Sequence, residues 1–97
     1  MATYISLINW TEDGIKNVKK SPQRFDDFKK ALQDAGGKVI GFYLTMGRYD
    51  MVVITEGPSD EEAASLILST ASRGAIRTET MKAFTEDQYR EIISRVT

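Results

Sequence analysis

The stretch LTMGRYDMVVI, positions 44–54, constrains the fold more than any other. Apolar and β-branched residues fill two arms. Gly47-Arg48 joins them with Gly first, the pattern of a two-residue type II′ connection. Residues 38–46 and 49–56 are therefore predicted to pair as a hairpin in which Thr45 faces Asp50, Leu44 faces Met51 and Tyr43 faces Val52. Side chains alternate across a strand. Ile40, Phe42, Leu44, Met46, Tyr49, Met51 and Val53 then share one face. Val39, Gly41, Tyr43, Thr45, Asp50, Val52 and Ile54 share the other. Both faces carry large apolar groups, and Asp50 is a lone carboxylate at the head of the second arm.

The other segments alternate in type. Residues 3–9, TYISLIN, read as a strand with Ile5 and Leu7 on one face and Tyr4, Ser6 and Ile8 on the other. Thr11 has the position of an N-cap for a short helix with Ile15 and Val18 inward, and Glu12 and Asp13 in its first turn favour the helix dipole. Ser21-Pro22 restarts the chain as cap and first helical residue. Phe25, Phe28, Leu32 and Ala35 follow as one apolar stripe, read as core, up to Gly36-Gly37. Ser59 and Glu62 form a capping box for a helix running to about Ser72, with Ala63, Ala64, Ile67, Leu68 and Ala71 inward. Residues 76–83 read as an edge strand, polar on both faces at its start. Thr85 and Gln88 cap a last helix carrying Tyr89, Ile92, Ile93 and Val96.

Strand, helix, strand, strand, helix, strand is the split plan of ferredoxin-like α+β folds, here βαββαβ with an extra C-terminal helix. It predicts one domain over residues 1–97, with helices on one face of a four-stranded antiparallel sheet ordered 4-1-3-2. One helix layer covers one face. Tyr4, Ile8, Val39, Tyr43, Val52 and Ile54 are expected on the other, exposing about 600 Å², the top of the range for a monomer's largest patch. At ~25 cal/mol per Å², covering it is worth on the order of 15 kcal/mol per chain before association costs. A second copy is the simplest cover, which gives a homodimeric α+β barrel with a cavity between facing sheets.

Composition narrows the chemistry. The 97 residues include no cysteine and no histidine. Thiolate nucleophiles, disulfides, Cys/His zinc sites and imidazole acid-base catalysis are excluded. Thirteen Lys and Arg against 14 Asp and Glu leave a formal charge of -1, so no global basic field draws in nucleic acid or anionic lipid. The runs Lys19-Lys20 and Lys29-Lys30 are interrupted by Asp26, Asp27 and Asp34 and read as solvated helix faces. No apolar run reaches the ~20 residues of a membrane span, and MATYISLINW lacks the pattern of a secretory leader. A cytoplasmic protein without cofactor or metal is the expectation.

Three segments carry a family resemblance: GFYLTMGRYDMVVI (Gly41–Ile54), IRTETMKAFT (Ile76–Thr85) and INWTEDGIKNVKKSPQR (Ile8–Arg24). Together they resemble the GYD family of small bacterial and archaeal proteins, whose glycine-x-tyrosine-aspartate signature corresponds to Gly47, Tyr49 and Asp50. The resemblance implies a dimeric α+β barrel and carries no established activity.

Asp50 is the focal candidate residue. It can fix the hairpin by bonding backbone amides or pairing with Arg48 or Arg77. It can instead bind a small ligand in the dimer cavity, with Tyr43, Thr45, Ser6, Trp10 and Thr78 as further lining residues. Tyr49 reads as core, Trp10 as packing on the short helix or walling the cavity mouth, and Arg77 with Glu79 as a pair across the dimer. Three functions follow. One is a non-enzymatic homo-oligomeric small-molecule binder or assembly protein. Another is a cofactorless isomerase, lyase or oxygenase, with Asp50 as base and Tyr43 stabilising developing negative charge. The third is a regulatory partner of another protein, by analogy with ligand-sensing barrels.

Overall fold

The computed structural model describes residues 1–97. Strand β1 (Ala2–Trp10) leads through helix α1 (Glu12–Lys16) and a single 3-10 turn at Val18–Lys20 into helix α2 (Ser21–Asp34). Strands β2 (Lys38–Leu44) and β3 (Met51–Gly57) form the hairpin, followed by α3 (Asp60–Ala71), β4 (Ile76–Ala83) and α4 (Glu86–Ser94). The sheet is antiparallel in the order β2-β3-β1-β4, the expected ferredoxin-like topology with β2 and β4 as edges. The caps form as expected. Thr11 Oγ1 accepts from the Gly14 amide at 3.1 Å, Ser59 Oγ from Glu62 at 3.1 Å, and Thr85 and Gln88 satisfy each other's backbone. Ser21 is itself the first residue of α2 and does not cap it.

The pairing of β1 with β3 settles the faces. Tyr4, Ser6 and Ile8 stand opposite Thr55, Val53 and Met51, and all six are buried beneath the helices. Tyr4 and Ile8 were expected on the open face, and Val39 with them. A β-bulge between Val39 and Gly41 puts these two residues on opposite faces, so Val39 packs on the Ile8–Met51–Val53 core. Ile5 and Leu7 take the open side, beside Ile54 and Val52. The surface stays apolar with a changed membership.

Three further expectations shift. Helix α1 turns Gly14, not Ile15, toward the sheet: Gly14 is buried and Ile15 is 50% exposed. The Thr11 amide donates to the Ala75 carbonyl at 3.0 Å, and its hydroxyl to the Gly74 carbonyl. That docking brings Gly14 so close to Ala75 that no side chain fits. Helix α3 turns Leu66 and Thr70 inward with Ala63, Ile67 and Ala71, while Ala64 and Leu68 are exposed. The hairpin connection is longer than two residues: the strands stop at Leu44 and Met51, Thr45 N donates to Asp50 O at 2.8 Å, and Gly47 takes a φ of 126° that only glycine adopts readily.

Tyr4 ties three elements together. Its hydroxyl donates to Asp60 at the head of α3, and Lys82 of β4 reaches the same carboxylate at 3.1 Å. Burial, then the Asp60 carboxylate, push the Tyr4 phenol up to about 12, and the Tyr4 and Lys82 donors hold Asp60 below the usual carboxylate range. Asp60 therefore contributes stability above its unfolded value, lost as pH falls through the lower folded one. The Tyr4 contribution is complete below pH ~10 and is lost as pH rises through about 12. Tyr4→Phe should flatten both limbs of the stability-versus-pH curve, as read from urea midpoints across the acid and alkaline ranges. Parallel wild-type and variant curves would contradict the coupling.

Candidate functional site

The expected site residues fall into two groups on opposite sides of the sheet. Asp50 precedes the buried Met51, so strand alternation turns it to the open face, beside Asn9. Its Oδ2 accepts the Trp10 amide at 3.0 Å, while its own amide donates to Ile8 O at 2.9 Å and Asn9 Oδ1 at 3.1 Å. Asp50 thus clips the end of β1 to the start of β3. The carboxylate's second oxygen makes no bond within the chain and is not sealed from solvent. Asp50→Ala should cost about 1–2 kcal/mol in thermal or urea unfolding, the worth of a part-buried charge-assisted bond. Asp50→Asn, which keeps an acceptor, should cost less than half of that. Equal losses would show that charge and not the bond matters.

Tyr43 stands opposite Val52 on the open face, 61% exposed. Thr45 is bonded through its amide to Asp50 O, and its hydroxyl donates to the Tyr49 carbonyl at 2.5 Å. Tyr49 is not core. The loop carries it across the open face, where its hydroxyl donates to Glu79 Oε2 of β4 at 2.7 Å. That bond raises the phenol's pKa. Glu79 is therefore engaged by Tyr49 of its own chain, and Arg77 of β4 makes no ion pair within it.

Ser6, Thr78 and Trp10 belong to the helix side. Ser6 Oγ lies 2.9 Å from Thr80 Oγ1, and the Trp10 indole donates to Ser21 Oγ at 3.3 Å, anchoring β1 to the start of α2. Ser6 and Thr78 line a cavity of about 390 Å³ between the sheet and helices α2 and α3. Phe25 and Phe28 of α2 and Phe42 of β2 form one wall, with the Phe25 and Phe42 centroids 4.3 Å apart. Arg24 and Arg73 also line it. The sequence reading missed this cavity, because a Phe stripe on a helix has the same pattern whether it fills the space beneath or borders it. Acidic side chains do not converge in groups of three.

A four-stranded antiparallel sheet with helices on one face, an open apolar face and an exposed C-terminal helix defines a ferredoxin-like α+β fold. The chain belongs to the GYD domain family, which matches residues 4–93. It is 34% identical over 84 residues to the glutamine synthetase and cystathionine beta-lyase binding protein of Thermus thermophilus, covering 86% of this chain and 88% of that one. Among solved structures it is similar to FFRP-DM1, with a TM-score of 0.60 at 21% identity over 87% of this chain and 100% of the other. It is also similar to TTHA0845 from Thermus thermophilus, with a TM-score of 0.53 at 24% identity over 88% and 95% of the two chains. These structural likenesses bear on the fold.

Proposed function

We propose that the chain is a small cytoplasmic binding protein that works as a homodimer and engages other proteins rather than catalysing a reaction. The observation that carries this reading is a pair of unpartnered apolar surfaces. Ile5, Leu7, Val52, Ile54 and Met81 line the face of the sheet that no helix covers, with Tyr43 at its β2 edge. Tyr89, Ile92 and Ile93 of α4, and Val96 just beyond it, are exposed. Two copies with sheets facing, each α4 resting on the other copy, would bury both surfaces at once.

The binding role is supported by the relative whose name gives it two enzyme partners, glutamine synthetase and cystathionine beta-lyase. The test is sedimentation followed by titration with those two purified enzymes. A dimer at micromolar concentration and saturable binding of either enzyme are expected; a stable monomer that binds neither would end the proposal.

A second reading rests on the polar cluster at one end of the open face. Tyr43, Thr45 and Asp50, with the unpaired Arg77 nearby, would border the space between the sheets, where a small ligand fits. Asp50, with one oxygen free of intrachain bonds, could then act as the base of a cofactorless reaction. Native mass spectrometry of protein isolated from its own host tests it: a retained small molecule lost on Asp50→Asn supports this reading, and an empty dimer counts against it.

A further inference from the structure

We infer that the cavity between the sheet and helices α2 and α3 is a binding site for a small carboxylate with a flat or aliphatic apolar body, distinct from the open face. At 390 Å³ it lies within the usual range of small-molecule sites. The cavity opens to solvent past the exposed Arg73, so a ligand has a way in. Nine of its 16 lining residues are hydrophobic, which fits an apolar body better than ordered water.

The charged lining selects the head group. Arg24 and Arg73 both line the cavity, and the chain's six ion pairs include neither. Arg24 is half-buried and spends two N–H groups on backbone carbonyls, Asn17 O at 3.2 Å and Gly14 O at 3.4 Å. A guanidinium has five N–H donors, so three remain. Arg73 is exposed and so sits at the mouth. The one carboxylate in the lining, Asp27, is exposed and already accepts from Gln23 at 3.0 Å. Two guanidiniums thus stand against one carboxylate. Ser21 Oγ accepts from Trp10, which leaves its own proton free, and the Thr78 hydroxyl makes no bond within the chain. Asp27 keeps one oxygen free, but the two unpaired guanidiniums outnumber it and the Ser21 and Thr78 hydroxyls have protons to donate, which suits a single anionic head above an apolar tail.

The test uses the full chain and two probes of equal shape, 3-phenylpropanoate and 3-phenylpropanamide, titrated by calorimetry and by amide chemical shifts. The acid is expected to bind at least about 10-fold more tightly than the amide, with shifts centred on Phe25, Phe28 and Phe42. Arg24→Gln with Arg73→Gln should bring the acid down to the amide's affinity and leave the amide unchanged. Arg24 also holds two backbone carbonyls. If the double variant melts early, Arg73→Gln alone decides and must reduce the acid preference at least threefold. Equal affinities in the wild type, no binding at millimolar probe, shifts on the open face, or a preference that survives the variants would each overturn the inference. None of these readouts depends on dimer formation.

Discussion

Gly14→Ala is expected to lower the thermal midpoint by about 12–24 °C, or about 3 kcal/mol. A Cβ at Gly14 would overlap the Ala75 carbonyl oxygen and lie 2.8 Å from its carbon, both of them backbone atoms with no rotamer to move. Relief requires α1 to lift off the loop before β4. That breaks the Thr11 amide bond to Ala75 and the Thr11 hydroxyl bond to Gly74, each worth about 1 kcal/mol. Ala returns about 1 kcal/mol of helix propensity over Gly, too little to compensate. Differential scanning calorimetry decides the matter: a midpoint within roughly 3 °C of the wild type would show that α1 moves freely.

The second large effect concerns assembly. Leu7 and Val52 face each other across β1 and β3 on the open side. Replacing both with lysine should leave the chain folded, because neither lies beneath a helix, and should raise the dissociation constant of the proposed homodimer by on the order of 100-fold or more. An ammonium buried without a partner costs several kcal/mol, and twofold symmetry doubles every substitution. Sedimentation equilibrium should show wild-type dimers and variant monomers at the same micromolar concentration. Leu68→Lys, on the exposed side of α3, should change nothing and serves as the control. A dimer that tolerates the paired lysines would place the contact elsewhere.

Topology was legible in the sequence because each boundary carries its own chemistry. Thr11, Ser59 and Thr85 cap helices, and strand-length apolar arms flank the Gly47 turn. The facing of β1 was not. Its period-2 pattern divides Tyr4-Ser6-Ile8 from Ile5-Leu7, yet both sets are apolar enough for a core, and only pairing with β3 decides between them. Val39 failed for a related reason: a bulge changes parity and leaves no residue signature in KVIGFYL. Tyr49 was lost when a longer loop replaced a two-residue turn. Of the six residues first grouped as ligand-lining, Tyr43, Thr45 and Asp50 cluster at the open face. Ser6, Trp10 and Thr78 lie beneath the helices, because the parity of β1 and β4 was the undetermined quantity. The cavity's arginines had no sequence signal, since being unpaired is a property of three-dimensional neighbours.

The stranded C-terminal helix carries a consequence for how this protein gains its last secondary structure. Nine residues fall short of the ~12–15 that a lone helix needs in water, and α4 draws little packing from its own body. In the proposed homodimer its ordering would then be a bimolecular event. Dilution would fray the tail before it touched the sheet, and the far-ultraviolet signal of residues 86–94 would act as a gauge of how crowded the molecule is with its own kind.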